Sequence, residues 1–403
     1  MPEYLGPGVD VEKRPSQPKP IEGVSTSTAG FIGPCHKGSI KRATLVTSLA
    51  EFERTYGGRR RLRLDGGALR PNYTWHAVRA FFQEGGRRLY VARVRRWKSR
   101  DCQKALKCFE AIEEISIVAA PGSTFAPEDG NTGTSIAKAL IDHAERMRYR
   151  FAVLDSGPGQ SIEHLRAMRA GLTSAKAALY YPWVRVKDPT NARELSLPPS
   201  GFVAGIYARV DIARGVSKSP TNETVTLAVG LDHNVTEAEQ TALDRESINF
   251  IRAFEPNDFR VWGGRTLSSG SEWKYVNVRR LFIYLEHSID RGTQWAVFEP
   301  NAEPLWATIR RSVEDFLINE WRSGSLPGSR PDEAYFVKCD RSTTTQADVD
   351  QGRLICEVGV AAVRPAEFVI FRIGQWTAHR PPSHHKRRPR SVRRAPGDCA
   401  SLS

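Results

Sequence analysis

The sequence predicts a mixed α/β fold, and three observations support this prediction. Short apolar segments that suit strands alternate with helical segments between residues 117 and 215. A long segment from residue 273 onward has the apolar spacing of an amphipathic helix. Further strand-like segments follow residue 333. Because alternating strands and helices favour a mainly parallel sheet covered by helices, we expect such a sheet together with a C-terminal α/β part.

The first elements are marked by their apolar runs and by a capping residue. Residues 29–33 and 43–46 are short apolar segments of the kind that form buried strands. Ser48 is the predicted N-cap of a helix that runs to Tyr56, and Glu51 stands at the position of a capping box. Two consecutive glycines then end this helix.

Strands and helices alternate in the next part of the chain. Residues 73–84 are predicted to form a helix and residues 88–94 a strand. Further strands are predicted at 117–122, 151–156 and 177–186, and further helices at about 134–147 and at 161–170. Pro198 and Pro199 begin the following helix, because proline is favoured in a first helical turn.

Residues 273–299 can be assigned packing roles almost throughout. The predicted helix carries an apolar stripe formed by Val278, Leu281, Phe282, Leu285 and Ile289. Its other faces carry Arg279, Arg280, Glu286 and Asp290. The helix is expected to end at Arg291 and Gly292, and residues 295–298 are expected to form a strand. A segment with many packing residues and no catalytic pattern favours a protein that assembles.

The last third begins with a long predicted helix at residues 303–322. Its apolar stripe consists of Leu305, Ile309, Val313, Phe316, Leu317 and Trp321, and its polar positions include Arg310, Arg311, Glu314 and Asp315. Residues 334–339 and 354–360 are predicted strands. Residues 367–376 are predicted to form a final strand with apolar side chains on both faces, which favours aggregation unless something covers it.

The composition is that of an ordinary soluble globular protein, with 40% hydrophobic and 26% charged residues among 403. This length suits two or three domains. No secretory signal and no membrane-spanning apolar run is recognised, so the chain is expected to stay in the cytoplasm until something releases it. The cysteines are Cys35, Cys102, Cys108, Cys339, Cys356 and Cys399. They contain no CxxC pair and are expected to be reduced thiols.

No catalytic, cofactor-binding or metal-binding pattern is found. Residues 121–123 and 155–159 follow predicted strands, where ligands often bind in α/β sheets, but neither segment is a phosphate-binding loop. The nine histidines include no HExxH pattern and no pair on one helical face. We therefore predict a protein that is not an enzyme and that has no catalytic residues, no cofactor and no metal. Cys339 and Cys356 are interpreted as packed thiols on two strands.

The two ends of the chain differ from its body. Residues 1–20 contain five prolines and only Val9 and Val11 as an alternating pair, so they are not expected to build a core. Residues 379–403 carry seven Arg or Lys against one Asp, which is +6 of the net charge of +14. This basic tail is predicted to be disordered. It is either a solvated appendage or a polyanion-binding segment, and the absence of interleaved aromatic residues favours the appendage.

Several segments, in the same order, resemble one known family. RVWGGRTLSS at 260–269, the helix-forming residues 273–299, FVKCDRSTTTQADVDQGRLICEVGVAAVRPAEFVIFRIGQW at 336–376 and the opening residues 1–33 strongly resemble tail sheath proteins of contractile phage tails and related injection particles. Agreement of several segments in one order is more specific than a short motif. The resemblance implies a sheath-type body with a C-terminal α/β domain, an inserted α/β domain and extended N- and C-terminal arms.

The resemblance also implies a division of the chain. Residues 1–22 would be an N-terminal arm and 23–96 the first part of the sheath core. An outward-facing inserted domain would occupy 97–215, and a tube-facing C-terminal domain 216–365. The C-terminal arm strand would be 366–378, followed by the tail 379–403.

Three groups of residues receive roles from the same resemblance. The N-terminal arm would add a strand to a neighbouring subunit through Val9, Asp10, Val11 and Glu12. The C-terminal arm would do so through Phe368, Val369, Ile370, Phe371 and Ile373. The helix at 303–322 would face an inner tube through Arg310, Arg311 and Glu314, although the alternative is a surface helix with solvated charges.

The implied function is that of a contractile sheath subunit. It would polymerise as stacked rings around an inner tube, meet baseplate and tail-terminator proteins, and bind no specific nucleic acid and insert into no membrane. Assembly would take place in the bacterial cytoplasm, and the product would be a virion tail or a released extracellular particle. The alternatives are an α/β enzyme, which needs a catalytic constellation that the sequence lacks, and a polyanion-binding protein that uses the basic tail.

Overall fold

The computed structural model describes residues 19–64, 67, 69–125, 132–255 and 258–367. Both predicted strand-donating segments and the basic tail lie outside these residues. The predicted arm residues concerned are Val9, Asp10, Val11, Glu12, Phe368, Val369, Ile370, Phe371 and Ile373.

Among the described residues, sixteen strands form four sheets. They are β1 (Ala29–Pro34), β2 (Thr44–Val46), β3 (Leu62–Arg63), β4 (Leu69–Arg70), β5 (Leu89–Val94), β6 (Ile117–Ala119), β7 (Phe151–Asp155), β8 (Ala177–Tyr181), β9 (Val184–Lys187), β10 (Glu194–Leu197), β11 (Glu223–Thr224), β12 (Gly230–Leu231), β13 (Asn249–Glu255), β14 (Asp258–Val261), β15 (Tyr335–Lys338) and β16 (Glu357–Val360).

The helices cover these sheets and connect their strands. They are α1 (Leu49–Tyr56), α2 (Tyr73–Gln83), α3 (Ser99–Lys107), α4 (Thr132–Arg146), α5 (Ile162–Ala170), α6 (Ser200–Arg214), α7 (Glu237–Arg245), α8 (Val276–Thr293), α9 (Glu303–Arg322), α10 (Pro331–Ala334) and α11 (Gln346–Asp350). Short 3₁₀ turns follow β6 at Ser123–Phe125 and α8 at Gln294–Ala296.

A nine-stranded sheet organises the first two thirds of the chain, in the order β11-β14-β13-β8-β7-β6-β1-β5-β2. The six neighbours from β13 to β5 run parallel, while β2 and the β14 and β11 edge are antiparallel. Smaller sheets consist of β10-β9-β12, β15-β16 and β3-β4. The predicted mixed α/β fold with a mainly parallel central sheet is confirmed.

Helices bury both faces of the large sheet. Neighbouring residues of each strand point to opposite faces, so each strand contributes side chains to two cores. Phe31 of β1 packs in a core with side chains of α1, α2 and α6. The next residue, Ile32, packs in a second core with α3, α4, α5 and α7. The result is three layers, with the sheet in the middle.

A third core lies in the C-terminal part and is built by α8, α9 and the β15-β16 pair. Its buried members include Leu281 and Leu285 of α8 and Ile309, Val313, Phe316 and Leu317 of α9. Residues of β15 and β16 are only partly buried against it. The predicted helix at 303–322 and its apolar stripe therefore agree with the structure.

The large sheet crosses the predicted domain boundaries. Strands from residues 23–96, 97–215 and 216–365 all contribute to it. The three segments therefore share one sheet, and their division into separate domains stays a prediction.

Some local predictions are wrong. Residues 295–298, predicted as a strand, form a 3₁₀ turn and an exposed loop, because α8 continues to Thr293 and its last turn tightens. Residues 177–186 form two strands in different sheets, separated by the cis Tyr181–Pro182 bond. The strand predicted from residue 354 begins at Glu357. Ser48 caps α1 as predicted, but Glu51 accepts from the Thr47 N–H rather than completing a capping box.

Candidate functional site: helices α8 and α9 and the β15-β16 sheet

Helix α8 joins the large-sheet body to the C-terminal core. On one side, Leu281 and Leu285 pack in the core that α9 also lines. On the other side, Ile283 packs in the core beneath the large sheet. Tyr284 lies against Phe316, with ring centroids 6.0 Å apart, and its hydroxyl donates to Glu320 over 2.7 Å. A displacement of α9 would therefore be transmitted to α8 by direct contact.

A buried ion pair fastens α8 to α6. The Arg280 guanidinium donates to both carboxylate oxygens of Asp211, over 2.9 Å and 2.6 Å. It also donates to the carbonyl of Thr26 over 2.9 Å and lies 4.7 Å from the centre of the Tyr207 ring. Burial raises the pKa of the Asp211 carboxyl, and the positive charge of Arg280 opposes this shift. The pair holds three chain segments together at a point that excludes water.

The first described residues, 19–26, lie along helix α8. Lys19 lies with its ammonium 4.4 Å from the Trp295 ring, just beyond the helix. Ile21 packs so closely on Gly292 that a Cβ there would be 2.7 Å from it, and the Val24 N–H donates to Ser288 over 3.1 Å. This entry segment, residues 19–26, is therefore anchored to the body, and the arm bounds 1–22 stay a prediction.

The other end of the described chain passes the opposite end of α8. The Asn277 side-chain amide donates to the carbonyl of Val363 over 3.2 Å. At 1.5 Å per residue, the 18 residues of α8 separate its two ends by roughly 27 Å. The N-terminal and C-terminal segments thus reach the body at sites one helix length apart.

In the described part of the chain, the β15-β16 sheet has two strands, and the backbone groups on its outer edges are not hydrogen-bonded to a further strand. The Ala361 N–H donates to the Ala334 carbonyl over 2.8 Å, which fixes the alternation of hydrogen-bonded pairs along the antiparallel ladder. The N–H and C=O groups of Val337 and Val358 accordingly point away from the ladder. Among the residues that the structure describes, these groups have no hydrogen-bond partner. Each edge can therefore accept another strand.

The two faces of this sheet differ. Tyr335, Val337, Val358 and Val360 face the C-terminal core but remain partly exposed. On the other face, Phe336 covers Gly359 and is still 52% exposed. Two strands alone do not cover their own apolar surface, which is why isolated two-stranded sheets are marginal in water.

The predicted tube-facing residues lie on the solvent side of α9. Arg310 pairs loosely with Glu314, at 3.9 Å between Nε and Oε1, and both side chains are nearly half exposed. Arg311 is exposed and has no ion-pair partner within the described ranges. The structure therefore brings Arg310 and Glu314 together and leaves Arg311 as a surface cation with no ion-pair partner among the described residues.

A shallow cavity of about 360 Å³ lies between the start of α9 and the end of β15. Its lining includes Trp306 and Arg310 of α9, Cys339 after β15, and the exposed pair Arg341–Glu303. The Arg341–Glu303 contact, Nε to Oε1, measures 2.7 Å. Cys339 lies in the wall of this cavity, although only 2% of the residue is exposed.

The two loops considered as ligand sites have structural partners. Asp155, at the end of β7, accepts the Ser200 N–H over 2.7 Å and the Ser200 hydroxyl over 2.8 Å at the start of α6. Burial raises the pKa of Asp155 to about 7. The Ser156 carbonyl accepts from Thr124 and from the Trp183 indole. These groups position α6 and the loops above the sheet.

Within the described ranges, no group of three or more His, Cys, Asp or Glu side chains could hold a metal ion. No helix in that same part of the chain is long and apolar enough to cross a membrane.

Two family models match consecutive parts of the chain. The model for the phage tail sheath protein central domain matches residues 98–267, and the model for the phage tail sheath C-terminal domain matches residues 268–375. The chain belongs to the phage tail sheath protein family. The boundary between the two family domains falls at residues 267 and 268, and the predicted boundary at 215 and 216 stays a prediction.

Solved sheath structures share this fold over nearly the whole chain. A chain from the anti-feeding prophage baseplate superposes with a TM-score of 0.76 at 30% identity, covering 93% of this sheath protein and 100% of that chain. A chain from the contracted sheath complex of the extracellular contractile injection system PVC gives 0.75 at 29% identity, covering 93% and 99%.

A curated relative shows the same family at lower coverage. It is a putative prophage major tail sheath protein from Pseudomonas aeruginosa, 25% identical over 249 residues. The match covers 60% of this sheath protein and 62% of that relative, so it spans less than two thirds of the relative's length.

The Arg280–Asp211 ion pair of this sheath protein was not predicted from the sequence. Arg280 was placed on a polar face of its helix, yet only 5% of its side chain is exposed. A signal was present, because Asp211 follows Val210 in a helix that is apolar on nearly all sides. A charge in such a helix needs a buried partner of opposite sign.

Proposed function

We propose that this protein is the structural subunit of a contractile tail sheath. In this proposal it polymerises as a helical array of stacked rings around an inner tube, and contraction drives the tube through the envelope of a target cell. The family membership supports it, as does the likeness to chains from a contracted helical sheath of the anti-feeding prophage and from the PVC sheath complex in its contracted state.

The observation that carries the proposal is the β15-β16 sheet with two open edges. Within the described ranges, Val337 and Val358 present unpaired backbone groups on opposite edges, and the core side of the sheet is incompletely covered. Strand addition from neighbouring subunits would satisfy these groups and bury the remaining apolar surface. A monomer gains nothing from such edges, whereas a polymer gains a continuous sheet across subunits.

The strands that fill these edges would come from the ends of the chain. Val9 to Glu12 would supply one strand, because Val9 and Val11 alternate along it. Phe368 to Ile373 would supply the other, because its apolar side chains on both faces need to be covered. The described chain reaches the body at opposite ends of α8, roughly 27 Å apart. The two arms would then leave each subunit in different places and connect it to different neighbours.

The inner tube would contact α9. Arg311 is exposed and unpaired among the described residues, and Arg310 is paired only loosely with Glu314 over 3.9 Å. An acidic tube surface would attract both arginines, and the attraction would weaken with salt.

The free energy of contraction would come from the lattice rather than from a bound nucleotide. An extended array is a metastable arrangement of folded subunits, and a contracted array with more subunit contacts lies lower in free energy. Flexible strand connections would keep the subunits joined while their bodies slide. In this scheme the subunit is not an enzyme and needs no cofactor or metal.

The remaining assignments follow from the same scheme. Residues 97–215 would form the outward-facing domain, and residues 216–365 would face the tube. Baseplate and tail-terminator proteins would bind the ends of the array, and assembly would take place in the bacterial cytoplasm before release in a virion or particle.

Electron microscopy of assembled protein tests the proposal. The intact chain, expressed together with its tube protein, should form long sheathed rods. Removing residues 1–18 should abolish long sheaths and leave the melting temperature within a few degrees of the parent, because Lys19 and Ile21 keep their contacts. Ile21→Ala is the control that should lower stability without shortening sheaths. Normal-length sheaths from the truncated protein would contradict strand donation by this arm.

A further inference from the structure

Cys339 and Cys356 lie immediately beyond the paired ends of two strands, Cys339 after Lys338 of β15 and Cys356 before Glu357 of β16. The register pairs Tyr335 with Val360 and Lys338 with Glu357. Extending this register by one residue places Cys339 opposite Cys356, in agreement with the hydrogen bond between their thiols. Both thiols are free in the structure, and both side chains belong to the C-terminal core.

Whether two cross-strand cysteines can form a disulfide depends on whether their residues are a hydrogen-bonded or a non-hydrogen-bonded pair. Ala334 and Ala361 are a hydrogen-bonded pair, so the alternation along the ladder makes Cys339 and Cys356 a non-hydrogen-bonded pair. In such a pair the Cα atoms are typically about 4.5 Å apart and the side chains are close. Disulfides span Cα separations of roughly 4.4 to 6.8 Å. The backbone therefore already has a geometry that a disulfide accepts.

The two thiols also differ in their exposure and in the direction of their pKa shifts. Cys339 is 2% exposed, while Cys356 is partly exposed. A hydrogen bond from Cys339 lowers the pKa of the Cys356 thiol, whereas that hydrogen bond and burial raise the pKa of Cys339. Cys356 is thus the accessible thiol that ionises more readily, and Cys339 is positioned behind it.

A bound metal ion explains the proximity of the two thiols less well than a disulfide does. No third His, Cys, Asp or Glu joins the two thiols in a possible metal cluster within the described ranges. Structural zinc sites use four ligands.

We propose that Cys339 and Cys356 form a cross-strand disulfide when the protein meets a low-molecular-weight disulfide in an oxidising medium. The Cys356 thiolate attacks one sulfur of the small disulfide and displaces its first thiolate. Cys339 then loses its proton and attacks the Cys356 sulfur, which displaces the second thiolate. The two cysteines lose two electrons and two protons, and the small disulfide is reduced to two thiols.

The redox conditions of the surrounding compartment determine whether the two cysteines are reduced or oxidised. In a reducing cytoplasm the cysteines stay thiols, in agreement with the reduced cysteines expected from the sequence, and they oxidise only after release. The bond would close the segment from Cys339 to Cys356 and fix the register of β15 against β16. That this also stiffens a strand-accepting edge rests on the proposed function, whereas formation of the bond does not.

Non-reducing peptide mapping of the full chain tests the proposal. The folded protein is equilibrated with oxidised glutathione, its remaining thiols are alkylated, and disulfide-linked peptides are identified by mass. We expect a Cys339–Cys356 linkage that dithiothreitol reverses. Cys108 is partly exposed and serves as an internal control, since it should carry at most glutathione. The Cys108→Ser variant should keep the linkage, and Cys356→Ser should lose it.

Hydrogen exchange supplies a readout that does not depend on a variant. In the oxidised wild-type protein, the amides of Phe336 and Gly359 should exchange about tenfold more slowly or better than in the reduced protein, because the bond restrains local opening. The proposal is overturned if Cys108 is glutathionylated while Cys339 and Cys356 stay free. It is equally overturned if Cys356 stops at a mixed disulfide with glutathione, or if either cysteine links to Cys399.

Discussion

Arg280 and Asp211 form a buried, two-pronged ion pair between α8 and α6, with a shortest contact of 2.6 Å between Nη2 and Oδ2. Only 5% of the arginine side chain and 2% of the aspartate side chain are exposed. The pair lies where the large-sheet body meets the helix that contacts α9. Loss of one partner would leave the other charge buried without compensation.

Arg280→Met is therefore expected to destabilise the protein strongly. The cost should be about 3–5 kcal/mol, since the Asp211 carboxylate keeps its desolvation penalty and loses its counter-charge. Arg311→Met, at an exposed cation, is the control and should change stability by less than about 0.5 kcal/mol. Urea unfolding of the full chain measures both. The double variant Arg280→Met with Asp211→Leu should recover part of the lost stability. If Arg280→Met were as stable as the control Arg311→Met, this would contradict a buried pair.

The pH dependence of stability should depend on Asp155. Its folded pKa is raised to about 7 by burial, whereas an unfolded aspartate has a pKa near 3.9. Between these values the folded state binds more protons than the unfolded state, so stability falls as pH rises from about 4 to 7 and is level above. The difference of about three pKa units corresponds to roughly 4 kcal/mol.

Asp155→Asn should remove this contribution and flatten the slope between pH 4 and 7. The amide oxygen can still accept the Ser200 N–H, so α6 keeps a cap. Glu84 and Asp211 also have pKa values raised by burial and should leave a residual slope. Melting temperatures from pH 4 to 8 measure the effect. Asp142→Asn, at an exposed position on α4, should keep the parental slope, and an unchanged slope in Asp155→Asn would refute the assignment.

Periodicity predicted the elements of this fold well where burial is one-sided. The helix at α9 was predicted with its bounds, because its apolar stripe and the break before Glu303 are local signals. The pairing of β15 with β16 could not be predicted, since 18 residues separate Lys338 from Glu357 and register depends on tertiary packing. The 3₁₀ turn at Gln294–Ala296 was missed because Trp295 and Val297 have high strand propensity.

The candidate site was predictable only in part. Arg310 and Arg311 were correctly placed on the polar face of α9, because helical spacing fixes that face. Their different pairing was not predictable, since each arginine has an acidic residue four positions later, Glu314 or Asp315, so spacing alone does not distinguish them. The open edges at Val337 and Val358 appear only once the ladder alternation is known.

Reversing the charge on α9 should weaken assembly on the inner tube. Arg310→Glu with Arg311→Glu would place acidic groups opposite the acidic tube surface that we postulate, so fewer tubes should become sheathed, and added salt should reduce the difference. Arg100→Glu, at an exposed position on α3, is the matched control. Electron micrographs of tubes mixed with each protein at several salt concentrations give the sheathed fraction. Normal sheathing by the double variant at low ionic strength would show that these residues point elsewhere.

Proline at the β16 edge should separate strand acceptance from folding. In Val358→Pro the lost N–H is one that points away from β15, so the ladder keeps its hydrogen bonds, but an added strand loses a donor. Ile370→Pro makes the corresponding change in the proposed donor strand. Both variants should be soluble and folded, with melting temperatures within a few degrees of the parent, and neither should form long sheaths.

The control for this prediction uses the neighbouring position of the same strand. The Glu357 N–H points toward β15, so Glu357→Pro removes a bond within the sheet and should cost about 3 kcal/mol or more. Thermal melting and sedimentation of the three variants, measured side by side, separate the outcomes. Long sheaths from Val358→Pro would show that the β16 edge accepts no strand. A poorly folded Ile370→Pro monomer would show instead that the C-terminal segment packs within its own chain, because only then does its ladder contribute to monomer stability.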